Sequence, residues 1–200
     1  MRKIVFYTQR VEIVEAYGER RDCTDQNIPK LLLDCGYLPL AVSNMCKDLD
    51  DLFGLNPAGI LLTGGNSLVK YGGNAPERDM MEKWLIDKAI VKGVPVFGFC
   101  RGMQVILDYF GCDLRNITGH AAVYHKICVE DGSIMVNSYL NQGCMELTTG
   151  SGLMEMASAE DGVIEAVRHI SYPIYGIMWH PEREKIWHKR DTDLIMNLFG

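Results

Sequence analysis

The sequence predicts an α/β fold: a mostly parallel central sheet, extended by antiparallel strands and held between two helical layers as a three-layer sandwich. Three observations predict it. In the first half of the 200-residue chain, short apolar runs alternate with helix-like stretches. In the second half, strand-like runs follow one another, with Gly132 and Asp161-Gly162 as turn signals. Between the halves, the apolar run Val94-Pro95-Val96-Phe97 passes through Gly98-Phe99-Cys100-Arg101-Gly102 straight into a helix-like segment, 103–110.

Taken in order, Ile4-Val5-Phe6-Tyr7 reads as the first strand and 25–33 as a helix capped by Asp25 and ended at Cys35-Gly36. Residues 38–42 read as a second strand and 48–53 as a short helix. Gly59-Ile60-Leu61-Leu62 has the unbroken apolar character of a strand buried on both faces, closed by Thr63-Gly64-Gly65. Residues 76–89 form a longer helix with Met81, Trp84, Leu85 and Ala89 on one face. After the strand and helix around Cys100, strands are expected at 127–129, 133–136, 154–157, 163–167 and 174–179, and a closing helix at about 191–199. No repeat or linker divides the chain, so residues 1–200 are expected to form one domain.

A net charge of −6 argues against duplex nucleic acid as a partner, because phosphate binding needs a basic face. No apolar run reaches the roughly 18 residues a membrane helix needs, and the N-terminus turns polar by Thr8. A cytoplasmic protein is expected. Seven scattered cysteines contain no C-x-x-C pair, which predicts reduced thiols rather than a zinc or dithiol site. His120, His125, His169 and His188 show no metal-ligand spacing. No metal and no cofactor are expected.

Cys100 carries the chemistry. A strand that ends in a sharp turn at a nucleophile, flanked by small residues and followed by a helix, is a nucleophile elbow. The thiol then stands at a helix N-terminus, where the dipole and free N–H groups favour thiolate. Trp179-His180-Pro181-Glu182 stands at the end of another predicted strand. His180 can serve as base, and Glu182 can orient its imidazole. Gly64, Gly65 and Arg101 can present backbone N–H groups to an oxyanion. These pieces are far apart in sequence but all fall at strand ends, where open α/β sheets bind ligands. Glu77-Arg78-Asp79 either caps its helix or, following the Gly64-Gly65 loop, helps shape the pocket. Tyr71 and Tyr124 are either core or contacts to a substrate ring.

Gly98-Phe-Cys100-Arg-Gly102-Met-Gln104, His180-Pro-Glu182 and Leu62-Thr-Gly64-Gly65 resemble the class I glutamine amidotransferase superfamily, and within it the free-standing gamma-glutamyl hydrolases. The resemblance implies a hydrolase acting on a linear gamma-glutamyl amide through a gamma-glutamyl thioester on Cys100. It places Gln104 near the glutamyl group. The run from Thr63 to Asp79, Gly119-His120 with His125, and Val136-Asn137-Ser138-Tyr139 are similar to gamma-glutamyl-CDP-amidate hydrolases of capsule phosphoramidate synthesis. Ser67 and Leu140 depart from that pattern, which has Asp and His there. Gln104, Asn66, Tyr124 and Arg78 are the candidate substrate contacts. The expected partner is a small gamma-glutamyl substrate, nucleotide-linked on this reading; a homodimer is left open. Two alternatives stand beside it: a glutaminase subunit feeding ammonia to a synthetase, and a non-enzymatic cysteine sensor on the same fold.

Overall fold

The computed structural model describes residues 1–200. Its centre is a nine-stranded sheet. Five strands are parallel: β1 (Ile4–Tyr7), β4 (Leu38–Ala41), β5 (Gly59–Leu62), β6 (Val96–Phe99) and β13 (Ile174–Ile177), in the spatial order β4-β1-β5-β6-β13. From β13 the sheet continues antiparallel through β12 (Ile164–His169), β11 (Leu153–Ala159), β8 (Ala121–Val129) and β9 (Gly132–Tyr139). Two short strands, β7 (Arg115–Asn116) and β10 (Gln142–Gly143), pair separately.

Strand alternation divides the core into two layers. Phe6, Ile60, Leu62 and Val96 face the helices α3 (Pro76–Lys92) and α4 (Arg101–Tyr109). Val5, Leu61, Phe97 and Phe99 face α1 (Asn27–Asp34) and α5 (Lys189–Phe199). Burial of both faces explains why the strands read as continuous apolar runs. The remaining helix, α2 (Leu49–Gly54), is capped by Asp48, whose side chain accepts from the N–H groups of Asp50 and Asp51.

Four expectations change. The run 174–179, expected among the antiparallel extensions, forms β13, which pairs in parallel with β6 because it sits beside the central strands. An antiparallel hairpin, β2 (Arg10–Val14) and β3 (Glu19–Cys23), occupies a segment with no strand signal. It is solvated and charged, so it lacks the apolar alternation that marks a half-buried strand. Helix α3 runs past residue 89 to Lys92 and stops at Gly93, whose φ of +67° suits glycine. Trp84 is 40% exposed, and the buried stripe of α3 is instead Arg78, Met81, Glu82, Leu85, Ile86 and Ala89. Two charged residues in that stripe are the first sign of a buried polar network beneath the elbow.

Candidate active site

Cys100 lies between β6 and α4 with φ +51° and ψ −112°, a conformation a non-glycine residue adopts only when its surroundings hold it there. The surroundings are visible. The Cys100 N–H donates to Ile177 O at 2.8 Å, and its carbonyl accepts from Gln104 N at 3.1 Å. A Cβ on Gly98 would stand 2.6 Å from the Gly102 carbonyl oxygen, and one on Gly102 would stand 2.1 Å from Leu62 O. Both flanking glycines are therefore steric requirements of pressing α4 onto β5 and β6.

His180 follows β13 and is 2% exposed. Its Nδ1 lies 2.6 Å from Glu182 Oε1, which sits in a 3₁₀ turn, Pro181–Arg183. Its backbone is clamped by Asn137 of β9, whose Oδ1 accepts from His180 N at 2.8 Å and whose Nδ2 donates to His180 O at 2.9 Å. The ring is flanked edge-on by Phe99 and Tyr139, with centroids 5.7 and 5.5 Å away. Burial opposes the imidazolium, but the Cys100 thiolate and the Glu182 carboxylate outweigh it and hold the ring up to about 9. Nε2 is buried and makes no well-aligned hydrogen bond. Cys100 therefore acts on the ring chiefly through its charge.

Gly64 completes the contact: a Cβ there would meet His180 Cε1 at 3.0 Å and Cys100 Cβ at 3.7 Å. Gly65 has φ +85°. The amides of Gly64 and Gly65 donate to no group in the protein. Arg101 N is the first helical amide and has no intrahelical acceptor.

A cleft of about 370 Å³ opens on Cys100, His180, Gly65, Asn66, Arg101 and Gln104. Ser67 and Leu140, the two departures, line it as well, as do Tyr139 and Arg183. A larger depression of about 510 Å³ beside α2 and α3 shares no residue with it and holds no cysteine, serine or histidine.

Two candidate contacts fall elsewhere. Arg78 is fully buried, and its N–H groups go to Glu82 Oε1, Gly65 O, Asn66 Oδ1, Thr63 O and Thr63 Oγ1. It has no donor left for a substrate; it ties the oxyanion loop to α3. Tyr124 is exposed on β8 and lies outside the cleft, with its hydroxyl 3.3 Å from Glu184 Oε1. Asn66 lines the cleft, but its amide is spent on Val11 N and O of the hairpin at 2.8 and 2.9 Å. Gln104 donates Nε2 to Gln142 O at 2.8 Å.

Sequence reasoning missed Glu82, which pairs with both Arg78 and Arg101, while Asp79 Oδ1 meets Arg101 Nη2 at 2.5 Å. It also gave no role to Asn137, Tyr139 and Arg183. A charged i,i+4 pair on an otherwise apolar helix face, Arg78 and Glu82, was the available signal for the network.

The profile of the class-I glutamine amidotransferase family matches residues 21–199. The chain is 34% identical over 182 residues to a gamma-glutamyl-CDP-amidate hydrolase of Campylobacter jejuni subsp. jejuni, covering 88% of each chain. It is 29% identical over 209 residues to a gamma-glutamyl-gamma-aminobutyrate hydrolase of Escherichia coli O157:H7, covering 84% of this chain and 80% of that one. The crystal structure of a protein ascribed to GMP synthase, from Thermoplasma acidophilum, superposes with a TM-score of 0.76 at 19% identity, over 100% of this chain and 93% of the other. At that identity the likeness concerns the fold.

Proposed function

This chain belongs to the class-I glutamine amidotransferase family, and we propose that it hydrolyses a gamma-glutamyl amide through a thioester on Cys100, with gamma-glutamyl-CDP-amidate as the preferred substrate, in capsule phosphoramidate synthesis. The observation that carries the reading is the meeting of three remote segments on one rim: the strained Cys100, the His180–Glu182 pair at 2.6 Å, and Gly64 wedged between Cys100 and His180.

The Cys100 thiolate attacks the glutamyl Cδ, and the carbonyl π pair moves onto oxygen, where the N–H groups of Gly64, Gly65 and Arg101 receive it. The C–N bond breaks as His180 Nε2–H gives its proton to the leaving nitrogen. The thioester remains. His180 then takes a proton from water, hydroxide adds to the same carbon, and C–S cleavage releases glutamate and restores the thiolate–imidazolium pair. Glu182 accepts from Nδ1–H throughout and keeps the tautomer that leaves Nε2 toward Cys100.

Arg183 favours the nucleotide-linked leaving group. Its guanidinium lies 4.0 Å over the Tyr139 ring on the cleft rim, its side chain is 39% exposed, and its nearest carboxylate is 3.8 Å away. A planar cation with uncommitted donors suits a diphosphate. Glutamate release should be at least about tenfold more efficient from the CDP-linked substrate than from glutamine. The Arg183→Ala variant should raise KM about tenfold for that substrate and leave KM for an uncharged gamma-glutamyl alkylamide unchanged. Equal or better turnover of glutamine defeats the substrate assignment. Strong stimulation by a synthetase would favour the ammonia-supplying alternative. Unchanged glutamate release by Cys100→Ala would falsify the mechanism.

A further inference from the structure

His120, His125 and Glu165 converge in a second buried polar cluster, built from the start of β8 and from β12. One donor atom from each lies within 4.8 Å of the other two. His120 Nδ1 is 3.4 Å and His125 Nε2 is 3.5 Å from Glu165 Oε1. His120 is 4% exposed and Glu165 0%. Yet His120 Nδ1, His125 Nε2 and both Glu165 oxygens have no hydrogen-bond partner. Four unpartnered polar atoms in one buried cluster are rare in a folded interior, where such groups are almost always satisfied. We propose that His120 Nδ1, His125 Nε2 and a Glu165 carboxylate oxygen bind one zinc ion, with water in the fourth position.

Three features fit. Donors arranged tetrahedrally around zinc at about 2.1 Å stand about 3.4 Å from one another, which is the spacing found between each imidazole nitrogen and Glu165. Two imidazoles and one carboxylate are a donor set zinc accepts. The outer atom of His120 is also fixed: Nε2 lies 2.9 Å from Asp161 Oδ2, and Asp161 Oδ1 accepts from Val163 N at 3.3 Å. That bond keeps the proton on Nε2 and leaves the Nδ1 lone pair directed at the cluster, the usual outer support of a metal-bound histidine. His125 is 18% exposed in its side chain and Asp161 52%, which gives an ion a way in.

The backbone explains why the spacing concealed this site. Residues an odd number apart on a regular strand point to opposite faces. At Ala122, φ is +56° and the pairing with β9 shifts between Ala121 and Val123. The bulge resets the alternation, so His120 and His125 meet, with ring centroids 4.7 Å apart. The site also supports the base. Ser138 Oγ and Leu140 N both donate to His120 O, and Glu165 O accepts from Met178 N. These contacts bracket Asn137 and the strand leading to His180.

The test uses the Cys100→Ser protein, so that the thiol and His180 cannot capture metal on their own. Purified from zinc-supplemented medium and dialysed, it should carry about one zinc per chain by elemental analysis. His125→Ala and Glu165→Gln should each lower apparent zinc affinity at least about tenfold in chelator competition, and Asp161→Asn about tenfold. Zinc should raise the Tm of the chelator-treated parent by several degrees and leave that of Glu165→Gln unmoved. Should His125→Ala not fold, cobalt titration of the parent serves instead, with the visible bands of four-coordinate cobalt expected and displaced by zinc. A parent with under about one-tenth equivalent of zinc and no zinc-dependent Tm shift overturns the proposal. So does full zinc content in both His125→Ala and Glu165→Gln.

Discussion

Beneath Cys100, all five N–H groups of buried Arg78 have acceptors, and Glu82 bridges Arg78 to Arg101. Around buried Glu165, two imidazole nitrogens and both carboxylate oxygens have none. The first cluster balances itself: two guanidinium groups against the carboxylates of Glu82 and Asp79, with Arg101 Nε the one atom left over. The second has burial without compensation; burial first, and the Asp161 charge after it, push Glu165 up to about 8. The parallel half of the sheet therefore carries a closed network whose purpose is rigidity under the nucleophile. The antiparallel half carries an open one, which a cation would complete.

If the parallel half exists to hold a reacting sulfur, removing that sulfur should have the largest functional effect anywhere in the chain. Cys100→Ala and His180→Ala should each lower kcat/KM for glutamate release by about 10³-fold or more, with the circular dichroism spectrum unchanged. Next comes the contrast between the two buried glutamates. Glu82→Gln leaves buried Arg78 without a carboxylate partner and Arg101 with Asp79 alone, and should cost about 3–5 kcal/mol in chemical denaturation. Glu165→Gln in chelator-treated protein removes no formed bond and should cost less than about 1 kcal/mol. Equal losses would erase the distinction between a closed and an open network. Smaller again is Gly64→Ala. The added Cβ would stand 3.0 Å from His180 Cε1, a displacement expected to cost about 100-fold in kcat/KM and less than about 1 kcal/mol of stability.

The same two halves differ in how legible they were. Strands β1, β4, β5 and β6, helices α3 and α4 and the elbow follow from local pattern, because each is a short apolar run or a helix-like stretch with its own stop signal; the parallel pairing of β13 with β6 does not. Cys100, His180 and Glu182 could be placed on one rim because ligands on such sheets gather at strand ends. Three kinds of feature stayed hidden. The β2–β3 hairpin has no buried face to impose alternation. Arg78 read as a helix cap or a substrate contact because its partners Thr63, Gly65 and Glu82 come from elements whose contacts only packing reveals. His120 and His125 showed no metal-ligand spacing because a bulge at Ala122 cannot be read from composition.

The subtlest expected effect concerns protons at the junction of the halves. Burial would lower the pKa of His180; the Cys100 thiolate, arriving from the parallel half, and Glu182 together hold it up to about 9. This folded value lies above the roughly 6.5 of an unfolded histidine. The stability His180 contributes is thus fully present below about pH 6.5 and is lost as pH rises through about 9. Catalysis follows the same sign, since the leaving nitrogen needs the imidazolium proton: kcat/KM should fall as pH passes about 9. The His180 Cε1–H resonance should titrate near pH 9 in the wild-type protein. In Cys100→Ala, which loses the thiolate, and in Glu182→Gln, which loses the carboxylate, the midpoint should move to lower pH. A midpoint in Cys100→Ala equal to that of the wild type would mean that no thiolate stands beside the ring, and the link between the two halves of the sheet would fail.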